Sequence, residues 1–167
     1  MSFSLLPKVL TDRITDLSVS FFEERNIRLV MLDFDNTVVP YTTNEPAEQV
    51  QTWLEEIKRS SLSLCILSNS HKSRVRKFCE CYGIDCITHA RKPFSKGIRA
   101  CMARYGAEPW ECALIGDQIY TDVLGANCCG VTSILVRSIH NHTFWLKARH
   151  VLEKPFIYAA KKRRLRL

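Results

Sequence analysis

Hydrophobic runs alternate with amphipathic stretches along most of the chain. Runs that are apolar at nearly every position predict five strands, at residues 28–32, 62–67, 85–89, 112–115 and 131–136. The stretches between them have helical periodicity and predict helices at residues 45–59, 71–82, 94–105 and 120–129. Strands without polar alternation are typical of parallel sheets that are buried on both faces. We therefore expect an α/β fold with a doubly wound, Rossmann-like parallel sheet of five strands and helices on both faces.

Local signals mark several helix ends. Asn44 is a good N-cap for the first of these helices, with Pro46 in the first turn, where proline loses no hydrogen bond. Gly83, Gly106 and Gly130 each follow a predicted helix, where glycine often ends a helix in the left-handed conformation.

Residues 1–26 precede the first predicted strand and have a periodicity of their own. Apolar residues recur there at helical spacing, at Leu6, Leu10, Ile14, Leu17 and Phe21. The spacing predicts an amphipathic N-terminal helix that ends at Asn26. Such a helix either packs on its own domain or lies on a membrane surface.

Length and charge narrow the picture further. The 167 residues, of which 46% are hydrophobic, predict one domain over residues 1–167. The net charge is +7, and basic side chains crowd residues 161–167. A basic tail suits anionic partners such as lipid head groups, nucleic acid or a phosphorylated substrate, although it can also be a solvated terminus.

The eight cysteines do not predict a disulfide framework. The first ten residues lack the basic leader and apolar block of a secretory signal, so we expect a reducing, cytoplasmic location. Neither Cys79 and Cys81 nor Cys128 and Cys129 have zinc-site spacing, and most of the thiols are expected to pack as small apolar groups. No apolar run approaches the roughly 20 residues of a membrane-spanning helix.

Asp33 and Asp35 stand directly behind the first predicted strand. Two carboxylates two residues apart point the same way in extended backbone, so they can share one cation and one reacting phosphorus. Such pairs also occur in turns and calcium loops. An EF-hand loop from Asp33 would need glycine and glutamate where this chain has Val38 and Asn44, which excludes that site. The pair therefore favours phosphoryl chemistry.

The other strand ends are also polar. Ligands of doubly wound sheets bind beyond the carboxyl ends of the strands. Polar residues follow the next three predicted strands and also the fifth, at Ser68, Asn69, Ser70, Arg91, Lys92, Asp117, Asp122, Arg137 and Ser138. We expect the residues of the first four strand ends to form one phosphate site.

Each carboxylate has a predicted role. Asp33 is the expected nucleophile that forms an aspartyl-phosphate, and Asp35 the acid that protonates the leaving alcohol and then the base that activates water. Magnesium is the expected cation, held by Asp33, the backbone carbonyl of Asp35, and Asp117. Asp117 can alternatively be an ordinary N-cap.

The remaining groups are expected to bind phosphate. The Ser68 hydroxyl and the Asn69 backbone amide would donate hydrogen bonds to it, and Lys92 would supply positive charge. Residues 68–70 can also simply cap the following helix, and Lys92 can be a surface lysine, with Lys96 as the rival cation. Asp122 would act behind these groups, orienting Lys92 or a metal-bound water.

In this order the motifs resemble the haloacid dehalogenase (HAD) superfamily of aspartate-dependent phosphatases. Residues 33–37 match its first motif, Ser68 its second, Lys92 its third and residues 116–122 its fourth. The Asp-Asn-Thr and Arg-Lys-Pro forms resemble subclass IIIA, and the longer matches resemble the YqeG-type bacterial proteins. That group is related to mitochondrial phosphatidylglycerophosphate phosphatases. The resemblance implies a magnesium-dependent phosphatase acting on phosphatidylglycerophosphate.

The spacing of the motifs also bears on the substrate. Between Asp33 and Lys92 there is no room for a large cap domain, so an open site is expected, suited to a phosphate on a lipid, a protein or a nucleic acid end. A nucleic-acid 3′-phosphatase or a small-metabolite phosphatase is an alternative, and a binding or scaffold module of the same fold is the non-enzymatic one. Nucleic acid is the less expected partner because the chain lacks a long aromatic and basic groove.

Contact with a membrane is a weaker expectation. The basic tail and scattered aromatic residues would favour weak peripheral binding to anionic lipid on the inner face of the membrane. The aromatic residues in question are Trp110, Phe144, Trp145, Phe156 and Tyr158. The sequence gives no indication of the oligomeric state.

Overall fold

Six parallel strands form one sheet in the computed structural model, which describes residues 3–70, 73–139, 155–160 and 162. In chain order the strands are β1 (Val9–Leu10), β2 (Leu29–Leu32), β3 (Ser63–Leu67), β4 (Asp85–Ile87), β5 (Cys112–Gly116) and β6 (Thr132–Leu135). Their order across the sheet is β1-β6-β5-β2-β3-β4. The central pairs β2–β3 and β2–β5 place the carboxyl ends of these three strands side by side.

The doubly wound parallel sheet is confirmed, with six strands instead of five. The extra strand is β1, in which Val9 and Leu10 pair with Ile134 and Leu135 at one edge of the sheet. A two-residue strand is too short to show a period in the sequence, and for this reason the pattern did not predict it.

Helices connect the strands as expected. They are α1 (Val19–Glu23), α2 (Glu48–Arg59), α3 (Ser73–Tyr82), α4 (Ser95–Tyr105) and α5 (Leu124–Cys129), with 3-10 turns at Ile14–Asp16 and Pro109–Glu111. The single helix predicted at 120–129 begins instead as a π-helical turn, Ile119–Val123, that continues into α5. Residues 155–160 are also helical.

The two faces of β2 belong to two separate parts of the core. Val30 and Leu32 pack in one cluster with residues of α1, α2 and α3, whereas Leu29 and Met31 pack in a second cluster with residues of α4 and α5. All four side chains are fully buried. Burial on both faces explains why this strand is apolar at every position.

The predicted N-terminal amphipathic helix over residues 1–26 is wrong. The described part of this segment consists of β1, a 3-10 turn and the short α1, which Ser18 caps by accepting a hydrogen bond from the Phe21 amide at 3.2 Å. The apolar residues face their own domain: Leu17 is fully buried, and its carbonyl accepts a hydrogen bond from Trp53 Nε1 at 2.6 Å. Packing on the domain, rather than on a membrane, therefore accounts for the stripe.

One cap prediction also fails, whereas the three glycine predictions hold. Helix α2 begins at Glu48, and Ala47 takes the N-cap position without a side-chain hydrogen bond, so Asn44 is not the cap. Gly83, Gly106 and Gly130 follow α3, α4 and α5 and have φ values of 60°, 57° and 79°. A left-handed backbone at these positions favours glycine.

Most of the cysteines are buried in the fold. All eight cysteines are free thiols, and five of them are buried, as expected for small apolar groups.

Phe156 packs on the edge formed by β1 and β6, whereas Trp110 and Tyr158 are exposed. His71, Phe144, Trp145 and the tail at 161–167, apart from the exposed Lys162, lie outside the described residues. Among the residues described, no helix is both long and apolar enough to span a bilayer.

Candidate active site

Asp33 and Asp35 lie immediately beyond the carboxyl end of β2. The Asp33 amide donates to Ile115 O at 2.8 Å, which continues the β2–β5 pairing up to the first carboxylate. Asn36 then has a φ of 61°, and its amide donates to Val39 O at 2.8 Å, so the chain turns back directly after Asp35. Both carboxylates are held in a nearly closed environment, with residue exposures of 7% and 6%.

Lys92 brings a buried positive charge to the two strand ends. Its Nζ lies 2.7 Å from Asp33 Oδ1 and 2.7 Å from Asp122 Oδ1, and the residue is buried. Burial alone would lower the pKa of Lys92, but the negative charges of Asp122 and Asp33 outweigh it and raise the pKa, so the ammonium keeps its proton. The rival Lys96 is exposed.

Asn69 holds the backbone of Lys92 in place. Its Oδ1 accepts from the Lys92 amide at 2.7 Å, and its Nδ2 donates to the Lys92 carbonyl at 2.9 Å. This side-chain contact was not predicted, because only the Asn69 backbone amide was expected to have a role, as a donor to phosphate. The end of β3 thus positions the loop after β4, in which the Lys92–Pro93 peptide is cis.

Three carboxylates converge beside Lys92. One oxygen each from Asp33, Asp117 and Asp122 lies within 4.8 Å of the others, an acidic cluster that suits a divalent cation. Both oxygens of Asp122 already have partners in the protein, because Oδ1 contacts Lys92 and Oδ2 accepts from the Gln118 amide at 3.2 Å. The cluster contains Asp33 and Asp117, the two side chains that the sequence predicts as metal ligands.

Burial and neighbouring charges act in opposite directions on the pKa of Asp122. Desolvation raises the pKa of its carboxyl group and the charge of Asp33 raises it further, while Lys92 lowers it, with a net value of about 6. Lys92 and the Gln118 amide thus keep a fully buried carboxylate ionised near neutral pH. Asp122 contacts Lys92 directly, one of the two arrangements expected for it.

Ser68 lies at the end of β3 with its side chain buried. Its Oγ accepts a hydrogen bond from the Ser70 amide at 3.0 Å. A hydroxyl that accepts one hydrogen bond can still donate its own proton, so this local turn is compatible with phosphate binding.

Arg74, in the first turn of α3, is the residue that sequence reasoning missed. Its guanidinium lies 3.2 Å from Asp35 Oδ1 and is mostly buried. An arginine in a helix with many other charged residues carries no signal of such a contact in the sequence. Only the packing of α3 against the loop after β2 brings the two side chains together.

The chain resembles known phosphatases in sequence and fold. The family described as mitochondrial PGP phosphatase matches residues 2–139. The probable phosphatase YqeG of Bacillus subtilis (strain 168) is 34% identical over 131 residues, which cover 78% of this chain and 76% of that protein.

Two solved structures share the fold at low sequence identity. The cobalt-bound form of the deoxy-D-mannose-octulosonate 8-phosphate phosphatase from Haemophilus influenzae has a TM-score of 0.55 at 17% identity, covering 77% of this chain and 89% of that one. A protein from Legionella pneumophila, described as a HAD superfamily (subfamily III A) hydrolase, has a TM-score of 0.53 at 16% identity, covering 86% and 90%.

Proposed function

Because this chain belongs to the PGP phosphatase family, within the HAD superfamily of phosphatases, we propose that it is a magnesium-dependent phosphomonoesterase that converts phosphatidylglycerophosphate to phosphatidylglycerol. The observation that best supports the proposed chemistry is the contact of Lys92 Nζ with Asp33 and Asp122, each at 2.7 Å, beside the carboxylate of Asp117. The proposed nucleophile, the Lys92 ammonium and the carboxylates proposed for a metal thus lie together at one end of the sheet.

Asp33 and Asp35 divide the reaction into two displacements. A carboxylate oxygen of Asp33 attacks phosphorus, and the bond to the leaving alcohol breaks as Asp35 gives its proton to the alcohol oxygen. In the second step Asp35 takes a proton from water as the water oxygen bonds to phosphorus. The Asp33–phosphorus bond then breaks, releasing inorganic phosphate and leaving Asp35 protonated again.

The oxygen ligands of the site fit magnesium. Asp33 and Asp117 supply carboxylates, and we propose the backbone carbonyl of Asp35 as a further ligand. A bound Mg²⁺ supplies positive charge that neutralises phosphate oxygens. Lys92 adds a second, permanent positive charge, and Asp122 holds that lysine in position.

Ser68 and Asn69 are proposed to bind the phosphate from the β3 side. The Ser68 hydroxyl and the Asn69 backbone amide would donate to phosphate oxygens as negative charge grows on them. Both residues follow β3, which neighbours β2 in the sheet, so they lie next to Asp33.

A lipid substrate fits the surroundings of the site. Only α2 and its flanking loops separate β2 from β3, and only α3 separates β3 from β4, in the described part of the chain, so no cap domain encloses the phosphate. Phe94, two residues beyond Lys92, is 73% exposed, and Arg91 is also exposed. We propose that Arg91 and Phe94, at the edge of the site, contact the anionic surface of the membrane, which makes the protein a peripheral membrane enzyme.

Phosphate release from three substrates tests the function. Phosphatidylglycerophosphate in mixed micelles, a 3′-phosphorylated oligonucleotide and 4-nitrophenyl phosphate would each be assayed with Mg²⁺ and with EDTA, for the wild type and Asp33→Asn. We expect Mg²⁺-dependent release from the lipid and the aryl phosphate, with Asp33→Asn inactive on both.

Each part of the proposal has its own contrary result. Hydrolysis of the oligonucleotide but not of the lipid would remove the lipid assignment. Full activity of Asp33→Asn would remove the covalent mechanism, and full activity in EDTA would remove the metal. Covalent labelling of the wild type at Asp33 by a phosphate donor, seen by mass spectrometry after rapid quenching, checks the intermediate independently of turnover.

A further inference from the structure

Arg74 binds both the proposed acid and the loop that follows it. Its Nη1 lies 3.2 Å from Asp35 Oδ1, and its Nη2 donates to the carbonyls of Pro40 at 2.9 Å and Thr43 at 2.8 Å. Nη1 also donates to the Tyr41 carbonyl at 3.3 Å. One guanidinium thus joins α3, the carboxylate of Asp35 and the loop at residues 40–43.

An aromatic ring also contacts the guanidinium group of Arg74. The guanidinium carbon lies 5.1 Å from the centre of the Phe34 ring, which separates the two aspartates in sequence. Phe34 in turn meets Phe78 of α3 edge-on, with ring centres 5.2 Å apart. The side chain of Arg74 is only 15% exposed, so few other orientations are open to it.

We propose that Arg74 is the positioning residue for the acid and base of the reaction. Proton transfer to a leaving oxygen requires the donor within hydrogen-bond reach and correctly oriented. By forming an ion pair with one oxygen of the Asp35 carboxyl group, Arg74 restricts the orientation of that group. By binding three carbonyls of the neighbouring loop, it also prevents that loop from moving away from Asp35. This inference rests on the proposed function, in which Asp35 protonates the leaving group.

The role makes a specific prediction about leaving groups. A nitrophenolate leaves readily without a proton, whereas phenolate is a poorer leaving group and needs more help from the acid. Loss of the positioning residue should therefore harm phenyl phosphate hydrolysis much more than 4-nitrophenyl phosphate hydrolysis. A residue that only stabilises the fold would affect both substrates equally.

The experiment compares kcat/KM for these two aryl phosphates in the wild type, Arg74→Ala, Arg74→Lys and the control Arg76→Ala. Arg76 lies in the same helix, is exposed and carries the same charge. For Arg74→Ala we expect a loss of about 100-fold with phenyl phosphate but less than about 5-fold with 4-nitrophenyl phosphate. Arg74→Lys, which keeps the ion pair but not the fork of donors, should be intermediate, and Arg76→Ala should match the wild type.

Several outcomes would overturn the inference. Equal losses on both substrates, with a lowered Tm, would make Arg74 a structural residue only, and no loss would remove its role. If Arg74→Ala does not fold, the ratio of the two losses in Arg74→Lys decides the question in the same way. If the wild type hydrolyses neither ester, or Asp33→Asn hydrolyses both, the proposed function fails and this inference fails with it. A lack of effect in Arg74→Ala therefore counts against the role of Arg74 only when the wild type is active and Asp33→Asn is inactive.

Discussion

Lys92 shows how a buried charge is maintained by its neighbours. An ammonium group with a residue exposure of 4% is costly to hold unless opposite charges contact it. Asp33 and Asp122 each approach it to 2.7 Å, and Asn69 fixes its backbone from both sides. The lysine therefore has little freedom, and its charge is held beside the proposed nucleophile.

We expect Lys92→Met to reduce kcat for 4-nitrophenyl phosphate by about 100- to 1,000-fold, the usual effect of removing one group that stabilises developing negative charge. Methionine fills much of the same volume without charge, so the loss reports electrostatics more than packing. The exposed Lys96→Met is the matched control and should keep wild-type activity. The reverse pattern would make Lys96 the functional cation. Circular dichroism of both variants checks that the fold is kept.

The residues that could be predicted individually are those that follow strands. Asp33, Ser68, Lys92 and Asp117 each stand near the end of an apolar run, and the geometry of a parallel sheet brings such positions together. Arg74 could not be predicted in this way, because its contact with Asp35 depends on how far α3 leans over the loop after β2. The orientation of a helix on a sheet is a product of side-chain packing, which no local pattern encodes.

Among the elements, α4 and α5 hold the loop that carries Lys92. A Cβ on Gly97 of α4 would lie 2.5 Å from the Ala90 carbonyl oxygen and 2.7 Å from its Cα. A Cβ on Gly125 of α5 would lie 3.3 Å from both the Cα and the carbonyl oxygen of Pro93. Both helices therefore lie very close to the backbone on either side of Lys92. At residue 97 of α4 there is room only for glycine.

Gly97→Ala tests this close packing. Alanine favours a helix interior over glycine by about 1 kcal/mol, so without a clash the variant would be more stable. Because the obstacle is backbone, we expect the clash to prevail and the free energy of unfolding to fall by about 1–3 kcal/mol. Urea denaturation measures it, with the exposed Ala103→Gly in the same helix as the control for propensity. A stabilised Gly97→Ala would show that the loop can move aside freely.

The sequence predicted elements well where one pattern dominates and poorly where two compete. Strands β2 and β5, and β3 beyond Ser63, have no polar side chain because both of their faces are covered, which makes their pattern unambiguous. In the N-terminal segment the apolar spacing fits a helix, yet Leu10 pairs with Leu135 in the sheet and Leu17 lies beyond the 3-10 turn. Pairing of residues 9 and 10 with the distant strand β6 thus outweighed the local helical spacing, and the sequence pattern alone does not reveal such a pairing.

At the scale of the whole molecule, charge is distributed in a way that suits an anionic substrate. The chain carries a net charge of +7, while four of its carboxylates, those of Asp33, Asp35, Asp117 and Asp122, are buried at the carboxyl end of the sheet. Positive charge on the outside raises the local concentration of phosphate esters, and the buried carboxylates are the groups proposed for the chemistry and for holding the metal and Lys92. We therefore expect binding to be more sensitive to salt than turnover at saturating substrate.

The exposed Phe94 tests whether the site works at a membrane surface. If the ring enters the lipid interface, burying it contributes about 1.5–3 kcal/mol, equivalent to roughly a tenfold or greater gain in the membrane partition constant. Phe94→Ala should then lower hydrolysis of phosphatidylglycerophosphate in anionic vesicles by about 10-fold while hydrolysis of 4-nitrophenyl phosphate stays unchanged. Trp110→Ala is the matched control: this ring is 66% exposed but lies in the 3-10 turn just before β5, at the opposite end of that strand. Equal effects of the two variants, or loss of soluble activity in Phe94→Ala, would show that Phe94 does not bring the site to lipid.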